Sequence, residues 1–239
     1  MRTKALKPWR KIHNAQSNSN QLNFTYCKST KKIVSLQENK KIMSRKLDTE
    51  EIIRISTDEF KQTKKIPLVV VLDNVRSMHN IGSVFRTSDA YVVEKVVLCG
   101  ITAQPPHPDI HKSALGAEFS VDWEYYADAN EAVAAIKAQG YELWAIELAE
   151  NSVMLQDFFK QSECSPKLGE LSKGLRGMPN SQLSTRYAVV LGNEVKGVQQ
   201  SVIDQCEGCI ELPQFGTKHS LNVSVTAGIV IWEFFKHLK

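Results

Sequence analysis

The sequence predicts an α/β fold with a mostly parallel sheet flanked by helices. Short apolar runs of strand length alternate with amphipathic runs of helical length over most of the chain. The run 68–72 is wholly apolar, as in a strand buried on both faces of a parallel sheet. The 239 residues, 42% of them hydrophobic, suffice for a sizeable core.

The N-terminal region differs from the rest of the chain in charge. Residues 1–42 contain ten Lys or Arg and one acid, Glu38, a net charge of +9, so the other residues carry −5 of the total of +4. This basic, aperiodic region is typical of a disordered tail. It fits an unstructured extension, an RNA-grasping arm, or sequence upstream of a start at Met43. We expect an N-terminal helical extension over 43–66, with a helix at 48–63, and a folded domain over 67–239.

The first half of this domain shows the alternation clearly. Pro67 opens an apolar strand, and the polar loop 74–83 leads into a helix for which Asn80 is a plausible N-cap. The run 103–108 is predicted to be a rigid loop because its prolines have no backbone N–H to donate. The predicted elements here are strands over 68–73, 95–99 and 119–123 and a short helix over 109–115.

The second half continues the alternation after one interruption. A helix over 129–138 is closed by Gly140, and residues 151–185 form an insertion rich in Ser, Pro, Gly and basic residues. Loops of this length are usually functional or disordered, so a solvated insertion and a substrate-contacting lid both stay open. The remaining predicted elements are strands over 141–148, 186–192 and 208–213 and helices over 198–206 and 220–238.

The final helix is predicted to place one apolar face in the core. Five apolar residues recur on that face at helical spacing. They are Leu221, Val225, Ile229, Trp232 and Phe235.

Familiar catalytic and metal-binding signatures are missing from the sequence. It contains no G-x-G-x-x-G, no G-x-x-x-x-G-K-[ST], no G-x-S-x-G and no H-E-x-x-H. Cys206 and Cys209 have CxxC spacing without a second pair, and Pro108 separates His107 from His111, so no metal site is expected. No apolar run approaches the roughly 18 to 20 residues of a membrane span, and no secretory signal is visible, so we expect a cytoplasmic protein without a membrane partner.

Three motifs remain, and together they carry a resemblance. Residues 80–87 match N-x-G-x-x-x-R-T and residues 191–197 match L-G-N-E-x-x-G. Residues 210–213 match I-x-(I/M/L)-P, and residues 220–224 read S-L-N-V-S. In this order the motifs closely resemble those of the SpoU (TrmH-like) ribose 2′-O-methyltransferases of the SPOUT superfamily.

The resemblance implies a fold, a cofactor and partners. These are a deep C-terminal trefoil knot, S-adenosylmethionine as methyl donor, an RNA substrate (tRNA or rRNA) and a homodimer that completes the active site. Its implied catalytic residues are Arg86, Asn80, Glu194, Ser220 and Asn222. Its implied cofactor-binding residues are Leu191, Gly192, Asn193, Gly197, Ile210, Leu212, Pro213, Ser220, Leu221 and Asn222.

The chemistry of these residue types suits methyl transfer to a ribose. In the family the arginine that corresponds to Arg86 activates the 2′-hydroxyl; because arginine is almost always protonated, it can instead polarise the hydroxyl or bind the adjacent phosphate. Asn80, Glu194 and Asn222 would organise substrate or loops through hydrogen bonds. Two alternatives stay open: a noncatalytic RNA-binding module of the same fold, and a SPOUT base methyltransferase.

Overall fold

The computed structural model describes residues 45–48, 51, 54–164, 185–218 and 220–239, with residues 161–164 described by their backbone only. The chain divides into two compact units, Met1–Glu51 and Ile52–Lys239. In the first unit, the guanidinium of Arg45 donates to the carboxylate of Glu51 at 2.6 Å, which lowers the pKa of Glu51 to about 2. The predicted tail 1–42 lies outside the described residues.

The second unit alternates strands and helices. Its strands are β1 (Ile66–Asp73), β2 (Val93–Cys99), β3 (Trp123–Tyr126), β4 (Tyr141–Ile146), β5 (Val153–Met154), β6 (Arg186–Leu191) and β7 (Gly208–Glu211). Its helices are α1 (Thr57–Gln62), α2 (Met78–Ala90), α3 (Pro108–Ala114), α4 (Ala117–Ser120), α5 (Ala129–Ala138), α6 (Leu155–Cys164), α7 (Gln200–Ile203) and α8 (Val223–Leu238).

All described strands pair in parallel within one sheet, in the order β3-β2-β1-β6-β4-β7-β5. The predicted α/β class with a parallel sheet is therefore confirmed. The register pairs Leu72 with Leu191, so β1 and β6 end side by side at the centre of the sheet. The loops that follow these two strands lie at that edge, where ligands bind in open α/β sheets.

Helices cover both faces of the sheet. Alternate residues of β1 belong to two separate apolar clusters, because successive side chains of a strand point to opposite faces. The cluster that contains Leu68, Val70 and Leu72 also includes residues of α2, α6 and α8, whereas Val69 and Val71 pack with residues of α5 and α7. These five strand residues have no exposed surface, which confirms the prediction of a strand buried on both faces.

Several helices begin or end at residues other than those predicted, because of local hydrogen bonds and backbone angles. The helix predicted over 48–63 begins only at Thr57, because Ser56 and Glu59 form a reciprocal capping box. Residues 119 and 120, predicted to begin a strand over 119–123, belong to α4 instead, and the strand begins only at Trp123. Leu115 and Gly116 both take left-handed backbone angles, which end α3 and allow a new helix to start.

The C-terminal predictions need three corrections. The helix predicted over 198–206 is one turn, Gln200–Ile203, and the strand predicted over 208–213 ends at Glu211. The insertion predicted over 151–185 is not wholly solvated, since it begins with β5 and α6, and Phe158 of α6 is buried against Phe234 of α8. Its residues 165–184 lie outside the described part of the chain.

The last helix differs most from its prediction. It starts at Val223 with Asn222 as N-cap, and Ser220 lies before it. The predicted core face is wrong: its first four residues are exposed, and Phe235 is partly buried. The helix residues that are buried are Val223, Ala227, Val230, Ile231 and Phe234. None of the described helices is long and apolar enough to cross a membrane, and the trefoil knot stays a prediction.

Candidate active site

A cavity of about 350 Å³ lies at the carboxyl edge of the sheet, where β4, β6 and β7 end. The loops after these strands and the start of α8 form its walls. Of the predicted site residues, the lining includes Leu191, Gly192, Asn193, Glu194, Ile210, Leu212, Ser220, Leu221 and Asn222. The structure therefore brings the second and third motifs to one cavity, which is large enough for a small-molecule ligand.

The loop after β6 is a closed backbone structure. Asn193 and Gly197 pair in antiparallel fashion, with N–H to carbonyl distances of 3.1 and 2.9 Å. The side-chain oxygen of Asn193 accepts the backbone N–H groups of Val195 and Lys196, and its amide donates to the carbonyl of Asn74 at 2.7 Å. The Asn of the second motif therefore shapes this loop and ties it to the loop after β1.

Two glycines of this motif allow the loop to close. A methyl group at Gly192 would lie 2.1 Å from the carbonyl carbon of Gly197 and 2.2 Å from the nitrogen of Val198. Gly197 has a φ of +70°, and a methyl group there would lie 2.2 Å from a carboxylate oxygen of Glu147. Gly197 itself is outside the cavity lining, so its contribution is to the shape of the loop.

Glu194 fastens this loop to the start of α2. Its carboxylate accepts the backbone N–H groups of Arg76 and Ser77, both at 3.0 Å, and the side-chain amide of Asn80 at 3.1 Å. Desolvation raises the pKa of Glu194, but the hydrogen bonds from the two backbone amides and Asn80 outweigh it, so the net shift is downward. The carboxylate is thus held as an anion by Asn80 of the first motif and by two backbone donors from the loop just before it.

Asn80 links this network to the third motif. Asn80 was predicted as the N-cap of α2, but Ser77 occupies that position, and its hydroxyl accepts the N–H of Asn80. The side chain of Asn80 is therefore free to accept the amide of Asn222 at 3.1 Å while it donates to Glu194. Asn222 in turn caps α8 by accepting the N–H of Ser224 at 2.8 Å. Three motifs distant in sequence meet in one chain of hydrogen bonds.

Arg86 and Pro213 lie apart from the cavity lining. Arg86 is on the exposed side of α2, and within the described part of the chain no carboxylate pairs with it. Gly82, from the same motif, has a packing role: a methyl group there would lie 2.3 Å from the carbonyl oxygen of Ile110 in α3.

Several residues of the site were missed by sequence reasoning. The cavity is also lined by Ile146, Glu147, Leu148, Glu211, Gln214, Val223 and Thr226. Glu147 follows β4 and accepts the N–H of Val198 at 3.0 Å, and buried Asp73 at the end of β1 accepts the side chain of Gln199 at 2.9 Å. Each acid stands directly at the end of an apolar strand, a signal that could have found both.

The histidines and cysteines considered for metal binding have other contacts. His107 caps α3 by accepting the N–H of Asp109, and a ring nitrogen of His111 lies 2.5 Å from the carboxylate of buried Glu118. Burial raises the pKa of Cys206 to about 12, and its thiol donates to a helix carbonyl. No group of potential ligands able to hold a metal is present among the described residues.

Known proteins resemble this chain along most of its described length. The 23S rRNA (guanosine-2′-O-)-methyltransferase RlmB of Neisseria meningitidis serogroup B is 27% identical over 176 residues, which cover 74% of this chain and 61% of that protein. This chain therefore spans about three fifths of that relative.

Solved structures show the same fold at low identity. The AdoMet-bound rRNA methyltransferase from Sinorhizobium meliloti gives a TM-score of 0.57 at 22% identity, over 75% of this chain and 60% of that one. The A. aeolicus TrmH/SpoU tRNA modifying enzyme gives 0.58 at 21% identity, over 75% and 81%.

A model of the SpoU rRNA methylase family matches residues 67–232, which include all three motifs. The match covers well over half of the chain, and the parallel sheet and the cavity at its carboxyl edge agree with it. This chain belongs to the SpoU rRNA methylase family.

Proposed function

We propose that this protein is an S-adenosylmethionine-dependent RNA methyltransferase that modifies a ribose 2′-hydroxyl in tRNA or rRNA. The observation that carries the proposal is the hydrogen-bonded chain Glu194–Asn80–Asn222, which joins three family motifs at the rim of one cavity. The RlmB relative, named as a 2′-O-methyltransferase, supports ribose as the target. We place the activity in the cytoplasm, since the free thiols of Cys99, Cys206 and Cys209 suit a reducing compartment.

The cavity residues fit an adenosine-containing cofactor. Apolar side chains of Leu191, Ile210 and Leu212 line it beside the ends of two strands, and the missing side chain at Gly192 lets the loop that forms its wall close against Gly197 and Val198. Polar groups of Ser220 and Asn222 lie at the α8 side of the same cavity. S-adenosylmethionine, when bound, supplies an electrophilic methyl group on its sulfonium sulfur. The protein has to orient that methyl group and the RNA hydroxyl for in-line attack.

We assign the activation of the hydroxyl to Arg86. A guanidinium keeps its proton near neutral pH, so Arg86 would polarise the hydroxyl or bind the neighbouring phosphate as negative charge develops on the oxygen. Arg86 is exposed and, within the described residues, has no carboxylate partner that would compete for it. Arg86 does not line the cavity of its own chain, and we propose that the Arg86 of a second subunit completes the site.

The exposed face of α8 supports such a homodimer. Val225, Ile229 and Trp232 recur along α8 at helical spacing and are 50, 42 and 46% exposed, and Leu221, which is 43% exposed, lies two residues before the helix; these four residues form the apolar stripe. A contiguous apolar stripe on a surface helix is typical of an interface. Leu221 belongs to both the stripe and the cavity lining, so a second copy seated on the stripe would reach the cavity mouth.

The proposal is tested with labelled S-adenosylmethionine and unmodified tRNA and rRNA transcripts. We expect methyl transfer, with digestion to nucleosides and mass spectrometry placing the methyl on ribose. Arg86→Ala should abolish transfer while calorimetry shows unchanged cofactor binding, and Arg54→Ala, which removes another exposed guanidinium, should retain activity. Methyl on a base would identify a base methyltransferase, and RNA binding without cofactor binding would identify a noncatalytic module.

A further inference from the structure

A second opening lies beside the cavity and has no role in the function described so far. It encloses about 260 Å³, is wide to solvent, and is lined by Arg76, Ser77, Asn80 and Glu194. Glu194 lines both spaces, so they adjoin at that residue. A molecule that lies in the second opening would therefore reach the rim of the cavity across the Glu194–Asn80 hydrogen bond.

Arg76 contributes the positive charge of this opening. Its backbone N–H donates to a carboxylate oxygen of Glu194 at 3.0 Å, which fixes the main chain at the opening. The side chain is exposed, and no ion pair engages it in the part of the chain that the structure describes. Arg186, in contrast, is held by Glu94 at 2.9 Å and stacks over Tyr141. Arg76 therefore presents a guanidinium from an anchored backbone position.

The carboxylate of Glu194 accepts its hydrogen bonds from groups other than the guanidinium of Arg76. One oxygen of Glu194 accepts Ser77 and Asn80, and the other accepts the backbone of Arg76. The donors that hold Glu194 are thus main-chain and amide groups. The fork of N–H groups on Arg76 remains available for an anion outside the protein, and such forks match phosphate oxygens well.

We propose that Arg76 binds a backbone phosphate of the RNA strand next to the target nucleotide. This inference rests on the proposed function and adds the position of the strand, with its phosphate at the second opening and its ribose directed over Glu194 and Asn80 toward the cavity. Phosphate contacts position a nucleic acid without reading its sequence. Arg76 is accordingly a substrate-positioning residue.

The test compares Arg76→Ala and Arg76→Lys with Arg54→Ala, which removes an exposed guanidinium without a partner among the described residues. Binding of fluorescein-labelled tRNA and rRNA transcripts is measured by anisotropy over about 50 to 200 mM salt. Arg76→Ala should weaken binding about tenfold, reduce the salt slope by about one, and raise KM for RNA with little change in kcat. Arg76→Lys should lie between it and the wild type, because lysine keeps the charge and loses the fork.

Two controls keep the result decisive. Calorimetry with S-adenosylmethionine and a thermal melt should give wild-type values for all three variants, which shows that the cavity and the fold are intact. RNA binding by Arg76→Ala equal to that of Arg54→Ala would overturn the inference, as would the failure of the wild type to bind either transcript. If the wild type binds RNA but transfers no methyl, the proposed function fails while the binding comparison still decides the role of Arg76.

Discussion

Replacing Glu194 with glutamine tests whether its carboxylate holds two motifs together. The glutamine oxygen can keep the two donors Ser77 and Asn80, but its NH₂ group then faces the N–H of Arg76, which loses its acceptor. One hydrogen bond to a charged group contributes about 1.5 to 3 kcal/mol, and the exposure of Glu194 reduces this, so we expect a loss of about 1 to 2 kcal/mol. For a domain of this size the melting temperature should fall by roughly 2 to 8 °C.

The assay is thermal and guanidinium unfolding at one protein concentration, with Glu150→Gln as the matched control. Glu150 is exposed and has no hydrogen-bond partner among the described residues. The folded-state pKa of Glu194 is lowered, so its stabilisation is present above the ordinary carboxyl pKa of about 4.3 and is lost as pH falls below it. The difference in the free energy of unfolding between wild type and Glu194→Gln should therefore become smaller at acid pH. Equal melting of the two variants at pH 7 would refute the role of the carboxylate.

Three further predictions concern the same region. Gly192→Ala should destabilise the protein by about 1 to 3 kcal/mol and abolish cofactor binding in calorimetry, because the added methyl meets backbone at 2.1 Å. Asn222→Ala should cost about 1 kcal/mol in chemical unfolding, whereas Asn222→Ser should retain most of the cap; equal losses would contradict the capping role. Ile229→Glu should convert the dimer to a monomer in sedimentation and abolish methyl transfer. The control Lys61→Ala, on the exposed side of α1, should leave the dimer intact. A dimeric Ile229→Glu variant would exclude the stripe as the interface.

The strands and motif loops could be predicted, but their joining contacts could not. The wholly apolar run 68–72 favoured a strand buried on both faces, and the family motifs placed Asn80, Glu194 and Asn222 in one site. Local sequence could not assign Asn80, because Ser77 and Asn80 are both good N-cap residues three positions apart. The choice depends on Glu194, more than a hundred residues away, whose carboxylate binds Asn80 when Ser77 takes the cap.

The reversed face of α8 has a physical cause that bears on the dimer. The helix carries apolar residues on both sides, so helical periodicity identifies two candidate faces and cannot rank them. The face that packs against the sheet contains Ala227, Val230 and Phe234. The small side chain of Ala227 lets the helix approach the sheet, and the ring of Phe234 contacts Phe158. An apolar stripe that stays exposed on a surface helix is typical of an interface. The exposed stripe from Leu221 to Trp232 therefore supports the proposed homodimer, in which an identical stripe on another copy would cover it with the symmetry of most soluble dimers.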